Sequence, residues 1–157
     1  MDDRRYSREH TPAGEALTDL LLVVFRLNGR VLISGDRLVA DLGLTSARWQ
    51  TVGAIALAGT PLPVAHIARN MGLTRQAVQR VTNELAADGL VVFTPNPHHR
   101  RAKLVSLTAA GWRAHHAALE RQAPWANWLA ADLTKEEIEA ATQVLSALGQ
   151  RLEDALT

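Results

Sequence analysis

Apolar residues recur along this chain at intervals of three and four, the spacing that lines up one face of an α-helix, in six separate stretches. The first runs from about residue 11 toward residue 40 and carries Leu17, Leu20, Leu21, Val24 and Leu27. Thr11-Pro12 opens it with a cap residue and a proline suited to the first helical position. Gly29 and Gly35 are where a kink or a break is expected. Within it, Leu20-Leu21-Leu22-Val23-Val24-Phe25 is apolar on every side. A helix of that kind has to be covered all round, which a small monomer seldom manages, so a partner chain is expected. Residues 1 to about 10 are charged and without periodicity, and read as a loose arm.

Four later helix starts share one pattern. Leu44-Thr45, Leu73-Thr74, Leu107-Thr108 and Leu133-Thr134 each place threonine at the cap, and an apolar residue stands five beyond each leucine: Trp49, Val78, Trp112 and Ile138. That is the spacing of a hydrophobic staple, and at Thr134 a capping box is completed by Glu137. These signals predict helices over about 45–58, 74–88, 109–131 and 134–156, with a short one at 63–71. The leucine-to-leucine spacings of 29, 34 and 26 residues are too unequal for a structural repeat. Pro124 is expected to bend or interrupt the fifth helix. Ile138, Ala141, Leu145, Leu148 and Leu152 give the sixth an apolar stripe.

From residue 62 to 108 the elements follow a recognisable order. A short helix buries Val64, Ile67, Ala68 and Met71, and Gly72 ends it. The next helix buries Val78, Val81 and Leu85, which leaves Arg75, Gln76, Gln79, Arg80 and Asn83 facing outward. Arg and Gln are the side chains that pair bidentately with guanine and adenine edges in the major groove. Thr74 caps this helix, and its hydroxyl and the first free amides suit a phosphate. After Gly89, residues 90–93 and 103–107 read as two strands around a turn-rich tip, Thr94-Pro95-Asn96-Pro97-His98-His99-Arg100-Arg101. Arg100, Arg101 and Lys103 are the candidates for minor-groove or phosphate contact, and no acid stands between Phe93 and Glu120. A solvated helix surface and an ordinary charged hairpin are the plainer readings of these two groups.

In its residues, this segment resembles the MarR family of bacterial transcription regulators. The resemblance is carried by Ile67-Ala68-x-x-Met71-Gly72-Leu73-Thr74-Arg75-Gln76-x-Val78-x-Arg80 and by the wing His98-His99-Arg100-Arg101-Ala102-Lys103-Leu104-Val105-x-Leu107-Thr108. It implies a mainly α fold: a winged helix-turn-helix lobe at 44–108, with a small two- to three-stranded antiparallel wing. Helices from both ends of the chain, 11–43 and 109–157, would then form a dimerisation region, making residues 1–157 one MarR-like domain. It implies a homodimer bound to a palindromic operator in double-stranded DNA, and a repressor released by a small aromatic or phenolic ligand. A regulator without an effector, or a winged helix that binds protein, are the alternatives. By resemblance the ligand would lie near Trp49, with Arg26, Arg30 or Arg48 answering an anionic group. The competing role for Trp49 is staple partner of Leu44, and hence core. The family's wing has an acid where this chain has His98.

Composition narrows the picture. At 157 residues the chain has single-domain length. Hydrophobic content of 47% with two Phe and one Tyr gives a core of Leu, Val and Ala. The absence of cysteine excludes disulfides and thiolate metal sites and fits a reducing cytoplasm. No apolar run approaches the roughly 20 residues that span a bilayer, and no secretory signal is visible, so a cytoplasmic location is expected. The net charge of +1 hides an asymmetry: residues 62–108 carry six Lys/Arg against two Asp/Glu, a balance of +4, whereas 109–157 carry four against seven, a balance of −3. The excess lies where a phosphate-binding surface needs it.

His98-His99 and His115-His116 raise the possibility of metal. Adjacent histidines on a helix point in different directions, however, and neither cysteine nor a close carboxylate completes a set, so no metal site or cofactor is expected. No phosphate-cradling Gly-x-x-x-x-Gly-Lys, Gly-x-Ser-x-Gly or His-Glu-x-x-His is present, so no enzyme is expected either.

Overall fold

The computed structural model, described for residues 10–99 and 101–156, contains six α-helices and one small sheet. Their order is α1 (Pro12–Val39), α2 (Ser46–Ala58), β1 (Leu62–Pro63), α3 (Val64–Asn70), α4 (Arg75–Ala87), β2 (Val91–Thr94), β3 (Leu104–Leu107), α5 (Ala109–Leu129) and α6 (Lys135–Leu156). The mainly helical winged-helix class implied by the sequence is the one found. The arm expected at residues 1 to about 10 lies, apart from His10, outside the described residues.

The predicted caps are in place. Thr11 Oγ1 accepts from the Gly14 amide at 3.1 Å, and Thr45, Thr74 and Thr108 do the same for Arg48, Ala77 and Gly111 at 3.3, 3.2 and 3.1 Å. Such a cap satisfies an amide that the helix itself leaves unpaired, and each contributes about 1 kcal/mol. The staples are another matter. Leu73, Trp112, Leu133 and Ile138 stay exposed, so only some of the leucine and apolar partners reach the core.

Neither helix is broken at the places where a break or a bend was expected. Helix α1 runs unbroken through Gly29 and Gly35, and α5 runs unbroken past Pro124. Gly35 serves close approach instead. A Cβ there would stand 2.5 Å from Ser46 Oγ, at the place where α1 meets the start of α2. Ser46 seals that junction, its amide donating to Asp36 Oδ1 at 2.6 Å and its hydroxyl to Leu32 O at 2.7 Å.

By internal contacts the chain divides into two compact units, Met1–Ala118 and Leu119–Thr157. In the first, the strands form one antiparallel sheet in the order β1-β3-β2. Val105 on the central strand lies opposite Leu62 on one side and Phe93 on the other. The core draws on nearly every element of this unit: Val39, Val52, Ile55, Ile67, Val78, Leu85, Val91 and Val105 are all buried. Burying each such side chain contributes about 1.5–3 kcal/mol, which is what fixes α4 against α2 and the sheet.

The second unit holds the end of α5 and all of α6. Its capping box is complete: the Thr134 amide donates to Glu137 Oε2 at 2.8 Å, and the Glu137 amide donates to Thr134 Oγ1 at 3.2 Å. Donation from the Thr134 amide, then from its hydroxyl, holds the Glu137 carboxyl below the usual carboxylate range.

Within a single chain much apolar surface stays in water. On α1, Leu22, Val23, Phe25, Leu27 and Ile33 are at least half exposed, with Phe25 at 68%. On α6, Ile138, Val144, Leu145 and Leu152 are exposed as well. Among the described residues no helix is long and apolar enough to cross a membrane.

Candidate nucleic-acid interface

Just past the end of α3 stands Gly72, whose φ of +63° is a left-handed conformation that a Cβ would strain. The Leu73 amide returns to Ala68 O at 2.9 Å, closing the turn, and Thr74 then caps α4. This sequence of local bonds sets the direction in which α4 leaves α3.

Helix α4 is divided cleanly. Val78, Val81, Thr82 and Leu85 are buried, and the Thr82 hydroxyl, which the sequence pattern did not place in the core, donates to Val78 O at 2.6 Å. On the other side Arg75, Gln76, Arg80 and Asn83 are exposed and Gln79 is half-buried, the orientation expected of them. Arg75 occupies the first position of a helix whose first turn holds no acid. A cation there opposes the helix dipole, so helix stability does not account for it.

Opposite α4 stands the wing formed by β2 and β3. Its tip is organised by Asn96: the His98 amide donates to Asn96 Oδ1 at 2.9 Å, and the His99 amide to Asn96 O at 3.3 Å. Between helix and wing runs a groove of about 810 Å³. Arg75, Gln79, Asn83 and His66 line its helical side, and Phe93, Asn96, His99, Arg101 and Lys103 its wing side. Five of the nine candidate DNA-contact residues are thus brought to one concavity. Thr74, Gln76 and Arg80 lie on α4 or its cap without lining the groove, and Arg100 lies outside the described residues.

Of the four candidate ligand residues, Arg26 and Arg30 line one hollow, and Trp49 and Arg48 are engaged elsewhere. Arg26 donates through Nε to Leu22 O at 3.2 Å and lines a shallow hollow with Val23, Leu27 and Arg30. Trp49 packs against the core. Arg48 donates through Nη1 to Gly43 O at 3.0 Å and pairs through Nη2 with Asp88, the C-cap residue of α4. Sequence reasoning missed this bridge because 40 residues separate its ends.

The paired histidines of α5 make an aromatic cluster with Trp112. His115 stacks edge-on to the indole at 5.9 Å, and its ring lies 5.8 Å from that of His116. Burial, then the neighbouring His116, holds the His115 imidazole below its ordinary pKa. Among the described residues no group of three or more His, Cys, Asp or Glu side chains could hold a metal ion.

A short helix, a tight turn, an outward-facing polar helix and a β-wing define a winged helix-turn-helix protein. The MarR family profile matches residues 42–102, the span from α2 through the wing tip. The uncharacterized protein Rv2011c of Mycobacterium tuberculosis is 39% identical over 107 residues, 68% of this chain and 73% of that one. The chain belongs to the MarR family. Among solved structures, the Mycobacterium tuberculosis transcriptional regulator MOSR in complex with DNA superposes with a TM-score of 0.74 at 22% identity, covering 86% of this chain and 96% of that one. CouR from Rhodococcus jostii RHA1, bound to p-coumaroyl-CoA, gives 0.74 at 22% identity, covering 83% and 91%. At such identities the likeness is one of fold.

Proposed function

We propose that this chain is a homodimeric transcription regulator that binds a palindromic operator with α4 in the major groove and the wing on the flanking backbone. The observation that carries this is the face of α4. Guanidinium and amide groups stand outward on it, and the groove beside it is continued by Arg101 and Lys103. Arg75, Gln76, Gln79 and Arg80 are the base-reading residues, Thr74 and Asn83 the backbone contacts on α4, and Arg100, Arg101 and Lys103 the contacts of the wing. That MOSR, which shares this fold, is solved in complex with DNA supports DNA as the partner.

The homodimer rests on the apolar faces that one chain leaves in water on α1 and α6, larger than scattered surface leucines account for. Residues 11–43 and 109–157 are accordingly the dimerisation segments, and 44–108 the DNA-binding lobe. Binding over a promoter occludes polymerase, which makes the protein a repressor. A small aromatic or phenolic ligand relieves repression by favouring a dimer whose recognition helices are wrongly spaced. A ligand with equal affinity for both spacings would shift nothing. CouR bound to p-coumaroyl-CoA supports that ligand class.

Affinity for the gene's own upstream DNA, measured by fluorescence anisotropy at increasing salt, tests the reading. Three phosphate contacts per subunit, six per dimer, predict a fall of roughly a thousandfold between about 50 and 200 mM salt. Weak binding that ignores salt would favour a protein-binding winged helix instead. Release of the bound DNA by an aromatic acid or acyl thioester, in the same assay, tests the effector.

A further inference from the structure

Two side-chain couples lie along the exposed side of α4, each spanning one helical turn. Gln79 Nε2 donates to Asn83 Oδ1 at 2.9 Å, and Arg80 Nη1 donates to Glu84 Oε1 at 2.7 Å. The second couple is the unexpected one. Glu84 and Asp88 are the only acids between residues 62 and 108. Asp88 is bound by Arg48, which leaves Glu84 as the carboxylate standing beside the base-reading residues. Its side chain is 45% exposed and that of Arg80 is 70% exposed. A surface pair of this kind adds little to stability, so stability does not explain an acid in this place. On a surface that meets phosphates, a carboxylate repels its own ligand.

We propose that Glu84 is a specificity-determining residue that acts by positioning Arg80, an inference that rests on the DNA-binding reading above. Arginine carries five N–H donors in a rigid fork. Glu84 occupies one Nη1 donor and fixes the direction of the plane, leaving a remaining edge able to meet two acceptors at once. Guanine presents such a pair, O6 and N7, in the major groove. Reaching a phosphate would require the guanidinium to swing away from Glu84, leaving that carboxylate unpaired beside an anion. The penalty therefore falls on DNA that offers Arg80 no guanine, and discrimination arises from repulsion of the wrong sequence as much as from attraction to the right one. The Gln79–Asn83 couple orients the neighbouring amide in the same way.

The test uses the full chain as wild type, E84Q, R80M and the double variant R80M/E84Q. Two probes are used: a library of duplexes with a randomised core, and a single duplex of scrambled sequence. Wild type is expected to enrich sites with a guanine at one position of each half-site. E84Q is expected to lose that preference. Its affinity for the scrambled duplex should rise roughly three- to tenfold, and its salt slope should steepen by about 2 per dimer as two freed arginines find phosphates. In the R80M background the E84Q change should have no effect on base preference. If E84Q keeps the wild-type preference, or changes it equally when Arg80 is absent, the inference is wrong. If wild type enriches no sequence and binds without salt dependence, the DNA-binding reading fails and this inference with it.

Discussion

Replacing Gly111 with alanine is expected to destabilise the chain by about 3 kcal/mol, at the upper end of what a single overpacked methyl costs. The methyl group would stand 2.0 Å from Leu90 O and 3.1 Å from the Leu90 carbonyl carbon. Both are backbone atoms, with no rotamer to yield. Helix α5 would have to lift from the turn between α4 and β2, where the Thr108 hydroxyl donates to Gly89 O at 2.7 Å and the Thr108 amide to Leu90 O at 3.1 Å. For a chain of this length the expected fall in Tm is roughly 6–12 °C, read by thermal melts at matched protein concentration. Gly53→Ala is the control. A Cβ on Gly53, inside α2, meets nothing within 4 Å, so that variant should hold or slightly raise Tm. A Gly111→Ala protein that melts with wild type would mean that α5 does not approach Leu90 as described.

Arg75→Ala should leave the fold intact and remove most operator binding. Arg75 is exposed at the start of α4 and lines the groove facing the wing, so its loss opens no cavity. Removing a cation from the first helical turn also relieves an unfavourable interaction with the helix dipole, and Tm should stay level or rise slightly. A base-reading arginine contributes about 1–3 kcal/mol of discrimination. Two subunits would lose it together at well-separated half-sites, giving about 2–6 kcal/mol in sum. Operator affinity should then fall by roughly 30-fold to 20,000-fold. Binding to scrambled DNA should fall far less, which separates the loss of a base contact from the loss of a phosphate contact. Equal losses on both duplexes would move Arg75 to the backbone-contact group.

The parts of this fold that could be read in the sequence are those set by local chemistry. Threonine caps located the helix starts, and periodicity placed Val78, Val81 and Leu85 in the core with Arg75 and Arg80 outside. Most of the misses share a different cause, dependence on a residue distant in sequence; Thr82 is the exception. Gly35 looked like a helix breaker because nothing nearby in the chain announces that Ser46 packs on it. Strand β1 is two residues long and contains Pro63, so no alternating pattern marks it; its pairing is dictated by Leu104 and Val105. Thr82 looked polar, yet its hydroxyl is satisfied by its own helix. The Arg48–Asp88 pair was hidden for the same reason, since only the folded chain brings the two side chains together. The candidate site follows the same division. Which α4 side chains face outward was legible, whereas the groove they share with Arg101 and Lys103 required the wing to be folded back.

Hydroxyl-radical cleavage of an enriched duplex, with and without the wild-type chain, asks most directly whether two recognition helices sit on DNA together. Two protected patches on one face of the duplex, about one helical turn (~34 Å) apart and related by a dyad, are expected. A single protected patch, or even cleavage along the whole duplex, would contradict it.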